Sequence, residues 1–282
     1  MKALILGGTG LLGRALMREW TGDEVFAMGS QNVDIRNVDQ VRAAVQKLSP
    51  DWIVLVAAYT DVDGCESNHE LAFSVNRDGA VNVAKTAQST GAKLLFVSTD
   101  YVFDGKKSSP YEVGDQRNPQ SVYGRSKAEA EVELLRIVPD CCVARTSWLF
   151  GTRGKCFPDT ILKLAESRPV LDVVNDQRGS PTYVIDLARV IIHLCRKGAR
   201  GIIHATNSGD CTWFDFAREI VRKAGLATVV RPVSSRQMVR PAPRPAFSVL
   251  SSTSLRQYGI EMPAWEDALV RYLEERKSIE SA

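Results

Sequence analysis

The chain begins with the most informative part of its sequence, KALILGGTGLLGRAL from Lys2 to Leu16. A short apolar run is followed at once by Gly7, Gly10 and Gly13, and the chain then takes up a helical pattern. In a strand–turn–helix unit one glycine makes the tight turn, one lets backbone amides approach a pyrophosphate, and one lets the helix pack closely on the strand. Free N–H groups at the helix start attract phosphate. The stretch therefore predicts a dinucleotide-binding site.

The alternation of strand and helix continues through the first half of the chain. Near-continuous runs of Val, Ile and Leu are typical of parallel strands covered by helices on both faces. Their regular exchange with amphipathic stretches predicts an α/β fold with a doubly wound parallel sheet of the Rossmann type. The strand patterns are KALILG, EVFAMG, DWIVLVAA, AKLLFVST and CCVARTSW, and the helical patterns include LLGRALMREW, NVDQVRAAVQKLS and HELAFSVNRDGAVNVAKTAQST.

The regular alternation of strand and helix patterns ends after Phe150. A polar, turn-rich segment follows, and the stretch RPAPRPAF from Arg240 cannot be regular helix or central strand. We predict an NAD(P)-binding Rossmann domain over residues 1–150, continued by about 182–206. Residues 151–181 and 207–282 are predicted to form a smaller, interleaved substrate-binding lobe.

Composition narrows the class of protein. The chain has 282 residues, a formal charge of +3 that is spread along it, and six cysteines without a CxxC pair. These features give no pointer to nucleic acid or to an acidic membrane surface, and they argue against a zinc site or a disulfide scaffold. No export signal or membrane span is visible. We expect a cytoplasmic protein with no nucleic-acid or membrane partner.

The end of the second strand pattern indicates which dinucleotide binds. An NAD-preferring site usually places an acid there, to bind the ribose 2′-hydroxyl. Here Gly29 and Ser30 take that place, and no arginine follows immediately. Without the carboxylate a 2′-phosphate is not repelled, so we predict NADPH as cofactor with NADH tolerated. Asp34 and Ile35 are expected to lie against the adenine.

A set of reactive side chains follows the fourth strand. Ser98 and Thr99 come where that strand should end, and parallel sheets bind ligands beyond the carboxyl ends of their strands. Tyr123 and Lys127 then occupy one face of the next helix, four residues apart. A carbonyl that receives hydride needs a proton, and a phenol beside an ammonium can donate one. We predict Thr99, Tyr123 and Lys127 as the catalytic residues.

With these residues the chain resembles the extended short-chain dehydrogenase/reductases and, more closely, the dTDP-4-dehydrorhamnose reductase family. The resemblance covers nearly the whole chain, and RTSWLFG and NDQRGSPT are its most specific motifs. It rests on AAYTDVDGCES from Ala57, NRDGA from Asn76, STDYVFDG from Ser98, YGRSKAEAE from Tyr123, RTSWLFG from Arg145, VVNDQRGSPT from Val173 and TWFDFAREI from Thr212. It implies reduction of the 4-keto group of dTDP-6-deoxy-L-lyxo-4-hexulose to dTDP-L-rhamnose, with a nucleotide-sugar as substrate.

The resemblance also implies site residues. Together with the residues above, the expected cofactor contacts are Gly7, Thr9, Gly10, Leu11, Leu12, Gly13, Ser30, Asp34, Ile35, Ala57, Ala58, Tyr59, Asn76, Ser98, Tyr123 and Lys127. The expected substrate contacts are Asp61, Val62, Asp100, Tyr101, Trp148, Asn175, Gln177, Arg178 and Arg244.

The chain departs from the family pattern at two places, and two alternative functions stay open. Phe247 replaces the usual Asn of the tail motif, and Ser251 and Ser252 lie around its usual Asp. Some family members bind Mg²⁺ at a dimer interface through a Glu just after the glycine turn, where this chain has Arg14. We therefore predict no metal, and a monomer or weak homodimer. The alternatives are a non-catalytic NADP-binding regulatory subunit, resembling the beta subunit of methionine adenosyltransferase, and another sugar-nucleotide epimerase or reductase.

Overall fold

A computed structural model describes residues 1–280 of the chain, so the last two residues of the predicted lobe lie outside the description. The strands are β1 (Lys2–Leu6), β2 (Glu24–Met28), β3 (Trp52–Leu55), β4 (Lys93–Thr99), β5 (Cys142–Thr146), β6 (Leu149–Phe150), β7 (Val170–Val174), β8 (Arg178–Gly179), β9 (Thr182–Tyr183), β10 (Gly201–His204), β11 (Cys211–Thr212) and β12 (Val229–Val233). The helices are α1 (Leu11–Glu19), α2 (Val38–Leu48), α3 (Val62–Ser67), α4 (His69–Phe73), α5 (Ala80–Thr90), α6 (Val122–Ile137), α7 (Phe157–Ala165), α8 (Val184–Arg196), α9 (Trp213–Ala224), α10 (Thr253–Arg256) and α11 (Trp265–Glu280).

A six-stranded parallel sheet forms the centre of the molecule. Its strand order is β10-β5-β4-β3-β1-β2. The chain runs outward from β1 to β2, returns to β3 on the other side of β1, and continues through β4 and β5 to β10. This order reverses direction beside β1, which is where doubly wound sheets open a ligand crevice. The predicted Rossmann sheet is confirmed.

Helices cover both faces of the sheet. On one face α1 packs against α8, and on the other α2 packs against α5 and α5 against α6. All four residues of β3 are buried, because this strand meets a helix layer on either side. The continuous apolar runs of the sequence follow from that double coverage, and burial of this apolar surface is the main force that stabilises the sheet.

The predicted helix from His69 to Thr90 differs from the structure in one respect. Between α4 and α5 the residues Ser74–Gly79 form a π-helical segment. A β-carbon at Gly79 would lie 2.7 Å from Ile35 Cγ1, so the backbone passes too close to that side chain for any larger residue. The widened turn also directs Asn76 inward, where it is 1% exposed. Such segments are frequent near functional sites.

The second half of the chain adds short sheets beside the large one. Strands β7 and β12 pair in parallel, β6 and β9 pair in parallel, and β8 and β11 pair antiparallel. Aromatic side chains fill the space between these strands and α9 and α11, with Phe150, Phe216 and Tyr272 fully buried. The division of the chain into two domains stays a prediction. Within residues 1–280, no helix is both long enough and apolar enough to cross a membrane.

Candidate active site

A cleft of about 690 Å³ lies beyond the carboxyl ends of the central strands. It brings together most of the residues predicted from the sequence. The predicted residues that line it are Gly7, Thr9, Gly10, Leu11, Leu12, Gly13, Ser30, Asp34, Ile35, Ala57, Ala58, Val62, Ser98, Thr99, Asp100, Tyr101, Tyr123, Lys127 and Trp148.

The glycine turn forms one wall of this cleft. Gly7 has a φ of +100°, and a β-carbon there would lie 2.5 Å from the backbone nitrogen of Ala57. A β-carbon at Gly13 would lie 2.3 Å from the carbonyl oxygen of Gly7, so only glycine lets α1 approach the turn this closely. Gly10 caps α1 without a side-chain hydrogen bond. The first amides of α1 therefore face the cleft and fit a cofactor pyrophosphate.

Ser30 and Asp34 line the cleft after β2, together with Arg36, which the sequence argument did not single out. Arg36 donates from Nε to both carboxylate oxygens of Asp34 at 3.0 Å, and from Nη2 to Oδ2 at 2.6 Å. This hydrogen bonding holds the pKa of Asp34 below its ordinary value. This part of the lining therefore offers a hydroxyl, a carboxylate and a guanidinium.

The predicted catalytic residues come from two adjacent elements. Thr99 ends β4, and Tyr123 lies in the first turn of α6, whose start is fixed by a hydrogen bond from the Gly124 amide to Ser121 at 3.1 Å. The Tyr123 ring meets the ring of Tyr101 edge-on, with centroids 5.8 Å apart. A β-carbon at Gly124 would lie 2.3 Å from the carbonyl oxygen of Tyr101, so glycine allows this close approach.

Burial raises the pKa of Tyr123 above its ordinary value, although a hydrogen bond with Thr99 opposes the rise. A positive charge on Lys127, one turn along α6, would be expected to lower this pKa. In the structure the Lys127 ammonium instead donates to the carbonyl oxygen of Val97 at 2.7 Å and lies 3.9 Å from the Phe96 ring centroid. Burial also lowers the pKa of Lys127 to about 7. For both groups, desolvation by burial is the largest cause of the shift.

Two buried polar atoms in the cleft make no hydrogen bond within the part of the chain that the structure describes. They are Oδ2 of Asp100 and Oγ1 of Thr146. Burial raises the pKa of Asp100 to about 6, so its carboxyl group exchanges a proton near neutral pH. Buried polar groups are normally paired, and these two atoms are suited to bind a polar ligand.

A pair of stacked indoles forms the far wall of the cleft. Trp148 and Trp213 lie with ring centroids 3.5 Å apart and planes inclined by 7°. Trp148 has a φ of +47°, which is a strained backbone conformation for a bulky residue. A β-carbon at Gly179 would lie 2.6 Å from the Trp148 ring, so this glycine makes room for the indole. Trp213 was missed because only the folded chain brings it to Trp148.

Two predicted cofactor residues lie outside the lining, among the residues that the structure describes. Asn76 accepts a hydrogen bond from the Tyr59 amide at 2.7 Å, and donates to the Tyr59 carbonyl at 3.1 Å and to Ser126 at 3.0 Å. Asn76 thus ties the loop after β3 to α6. A direct contact of Asn76 or Tyr59 with the cofactor stays a prediction.

Several predicted substrate residues are also absent from the lining, within residues 1–280, and serve internal contacts. Asp61 caps α3, Asn175 accepts from Thr212 at 2.9 Å, and Gln177 donates to Ser235 at 2.8 Å. Their contacts with substrate stay predictions. Arg178, whose partner is Asp210, and Arg244 belong to the same group.

Arg244 is held by a carboxylate that the sequence argument did not identify. Its two terminal nitrogens donate to Asp63 at 2.5 and 2.9 Å. The Arg244 hydrogen bond lowers the pKa of Asp63 to about 2. The pair joins the start of α3 to the Pro-rich segment near the carboxyl end of the chain.

The cleft has further lining residues that the sequence argument did not select. They are Val33, Arg36, Val56, Thr60, Leu71, Val75, Val97, Thr146, Ser147, Leu149, Lys155 and Trp213. Lys155 belongs to the loop after β6. This loop lies close to α1, as shown by Gly154, where a β-carbon would lie 3.0 Å from Leu11. Among residues 1–280, no cluster of His, Cys, Asp or Glu is arranged to hold a metal ion.

The sequence matches the family described as RmlD substrate binding domain over residues 1–278. It is 41% identical over 280 residues to the spore coat polysaccharide biosynthesis protein SpsK of Bacillus subtilis, and this similarity covers 98% of each chain. It is 39% identical over 282 residues to a dTDP-4-dehydrorhamnose reductase of Mycobacterium tuberculosis, covering 96% of this chain and 92% of the relative.

The structure is similar to a crystal structure of dTDP-4-dehydrorhamnose reductase from Bacillus anthracis in complex with NADP. The TM-score is 0.95 and the sequence identity 38%, over 97% of this chain and 99% of that chain.

Proposed function

The chain belongs to the RmlD substrate binding domain family, and from this premise we propose that it reduces the 4-keto group of dTDP-6-deoxy-L-lyxo-4-hexulose with NADPH to give dTDP-L-rhamnose. The observation that carries the proposal is the convergence of Thr99, Tyr123 and Lys127 in one cleft behind the glycine turn. Reduction of a ketone needs a nicotinamide site, a polar group that holds the carbonyl oxygen and a proton donor within reach of it. We assign all three to this cleft.

The cleft fits NADPH because the glycine turn leaves the first amides of α1 open to a pyrophosphate. When bound, NADPH supplies the hydride for the carbonyl carbon. We assign Ser30 and Arg36 to the ribose 2′-phosphate, since a hydroxyl and a guanidinium both donate hydrogen bonds to phosphate. Asp34 can accept a hydrogen bond from an unphosphorylated 2′-hydroxyl, which accounts for tolerance of NADH.

Tyr123 is assigned as the proton donor. Its raised pKa keeps the phenol protonated at neutral pH, so the proton is present when the substrate binds. Thr99, which ends β4 beside it, is assigned to hold the substrate oxygen near the Tyr123 hydroxyl. Lys127 is assigned to stabilise the phenolate that remains after transfer and to bind the ribose hydroxyls. The proton moves to the oxygen as negative charge develops on it.

The sugar is assigned to the space between Asp100 and the Trp148–Trp213 pair. Aromatic faces pack on the apolar face of a sugar ring, and the partnerless oxygens of Asp100 and Thr146 can bind its hydroxyl groups. Lys155 lies in the same cleft and is the cation that we assign to a diphosphate.

We further propose that the reaction takes place in the cytoplasm, on a monomer or weak homodimer. All six cysteines are free and buried, which suits a reducing compartment. The number of NADPH molecules consumed for each sugar distinguishes a reductase from two other functions. A regulatory subunit would bind NADPH without consuming it, and an epimerase would regenerate its cofactor, whereas a reductase consumes one NADPH for each sugar reduced.

The sugar specificity is tested by comparing two substrates that differ only in sugar stereochemistry. The purified protein would receive NADPH and either dTDP-6-deoxy-L-lyxo-4-hexulose or dTDP-4-keto-6-deoxy-D-glucose. We expect a clearly higher kcat/KM for the first, with dTDP-L-rhamnose as product. A higher value for the second would overturn the assignment of the sugar while leaving a 4-ketoreductase, and no NADPH consumption with either would overturn the reductase.

A further inference from the structure

A buried carboxylate lies one helical turn beyond Lys127. Tyr123, Lys127 and Glu131 follow one another at intervals of four residues, so they share a face of α6. The Glu131 side chain is 0% exposed. A buried charge is costly unless it is paired. The proposed reduction assigns no role to the Glu131 carboxylate.

Glu131 is held from three directions. Arg145 on β5 donates from Nε to Oε1 at 2.9 Å and from Nη2 to Oε2 at 2.6 Å. Ser98 on β4 donates to Oε1 at 2.5 Å, and Arg117 donates to Oε2 at 3.2 Å. These bonds fix the carboxylate directly behind the strand end whose Val97 carbonyl accepts the Lys127 ammonium.

We propose that Glu131 is a positioning residue that keeps Lys127 charged in the closed, dry interior of the site. Lys127 is 2% exposed, and burial favours its neutral form. Among the charges that act on Lys127, Glu131 is the one that favours the ammonium. Arg145 is the buried partner of Glu131 and donates two hydrogen bonds to its carboxylate.

The inference rests on the proposed function in so far as Lys127 serves the reduction. Only the ammonium form of Lys127 carries the positive charge that stabilises the Tyr123 phenolate, and it donates more strongly to the ribose hydroxyls than a neutral amine does. Loss of the Glu131 charge would leave Arg145 unpaired and would make the ammonium less stable, so both turnover and cofactor affinity depend on this carboxylate.

The titratable and charged groups nearby come from several elements. They are Lys127 and Tyr123 on α6, Arg117 and Asp115 in the loop before it, Asp100 after β4, Arg145 on β5 and His204 on β10. Burial, and then Arg145, lower the pKa of His204 to about 3, so it stays neutral at working pH. Asp100 titrates near pH 6 and is common to all the variants compared below.

The test measures NADPH affinity and kcat/KM as functions of pH for Glu131→Gln and Arg145→Gln. Both variants break the same buried ion pair, so a purely structural role predicts similar effects. If Glu131 acts through its charge, Glu131→Gln moves the alkaline limb of both profiles to lower pH by about one pH unit, whereas Arg145→Gln leaves the limb in place, because the Glu131 carboxylate is retained and still pairs with Arg117. Equal shifts in the two variants, or no shift in Glu131→Gln, would overturn the proposal.

Two further variants complete the experiment. Glu129→Gln removes an equal charge from the exposed side of α6, where Glu129 pairs with Arg77, and should leave the limb in place. If a single variant fails to fold, the paired change Glu131→Leu with Arg145→Met removes the ion pair as a unit, which proteins often tolerate. The alkaline limb of this double variant should lie at lower pH than that of the unmodified protein, because Glu131 is the charge that acts on Lys127. An unmoved limb would overturn the proposal.

The NADPH titration needs no sugar. A shift of the binding limb in Glu131→Gln but not in Arg145→Gln, without reduction of any 4-keto sugar, would therefore sustain the role of Glu131 and reject the proposed function. Reduction of the sugar, together with pH profiles whose alkaline limb does not move in Glu131→Gln, would support the proposed function and reject the role of Glu131.

Discussion

Asp63 and Arg244, 181 residues apart in the chain, are joined by two hydrogen bonds between the Asp63 carboxylate and the Arg244 guanidinium, at 2.5 and 2.9 Å. The Asp63 carboxylate also accepts from the amide of Ala242 at 3.1 Å. It therefore anchors the Pro-rich segment to α3.

Asp63→Asn should lower the free energy of unfolding by about 1–3 kcal/mol, because hydrogen bonds to a charged group are lost. The pKa of Asp63 is about 2 in the folded protein, below its ordinary 3.8, so its contribution is full above about pH 4 and is lost as pH falls towards 2. Urea unfolding at several pH values measures this difference. Asp140→Asn breaks an exposed ion pair with Arg200 and should change little. A difference that persists unchanged at pH 2 would contradict the role of the charge.

Gly179→Ala should disturb the stacked indoles, because the new β-carbon would lie 2.6 Å from the Trp148 ring. We expect KM for the nucleotide-sugar to rise roughly tenfold or more, with NADPH affinity nearly unchanged. Steady-state kinetics and a cofactor titration separate the two quantities. Gly114→Ala is the matched control, since a β-carbon there meets nothing within 4 Å. An unchanged KM in Gly179→Ala would remove the indole pair from the substrate site.

Arg36→Met should weaken NADPH binding roughly tenfold and leave NADH binding nearly unchanged, because only NADPH carries the 2′-phosphate. Ser30→Asp should shift preference further towards NADH through repulsion of that phosphate. Fluorescence titration with each cofactor gives the ratio. Arg42→Met, an exposed arginine of α2 that pairs with Asp39, is the control. Equal losses for both cofactors in Arg36→Met would place the guanidinium elsewhere.

Lys127→Met should lose turnover and cofactor affinity but gain stability at neutral pH. The folded-state pKa of about 7 lies below the ordinary 10.5, so the unfolded chain binds more protons between these values and the protein gains stability as pH rises through them. Methionine removes that cost, and we expect a gain of about 1–3 kcal/mol at pH 7 that shrinks towards pH 10.

The matched variant is Arg125→Met, which lies on another face of α6 and is exposed. It should be nearly silent in activity and in unfolding. Equal loss of activity in both variants would mean that general positive charge, rather than a placed ammonium, supports the reaction.

The sequence was sufficient to predict the central sheet and to select many of the residues that line the cleft. Continuous apolar runs are required of strands buried on both faces, and glycines are required where backbone passes within contact distance of backbone, as at Gly7 and Gly13. Strand-end residues such as Thr99 could be placed because parallel strands bring their carboxyl ends to one edge.

What the sequence could not supply depends on contacts between distant segments. Trp213 reaches Trp148 only because α9 packs beside β6, and Asp63 finds Arg244 only after the Pro-rich segment folds back over α3. The direction of the Tyr123 pKa shift was also beyond the sequence, because it depends on how dry the folded site is. A spacing of four residues gives proximity on a helix but not the degree of burial.

The most direct test of the proposed reduction traces the hydride from NADPH to the sugar. The protein would receive dTDP-6-deoxy-L-lyxo-4-hexulose and NADPH with deuterium at both positions of nicotinamide C4, in parallel with its Tyr123→Phe variant. We expect one NADPH consumed for each sugar, dTDP-L-rhamnose with a single deuterium at sugar C4, and a rate roughly 10²–10⁴-fold lower in Tyr123→Phe, which should still bind NADPH. A product without deuterium at C4, or a Tyr123→Phe variant that reduces the sugar at the unmodified rate, would contradict the account.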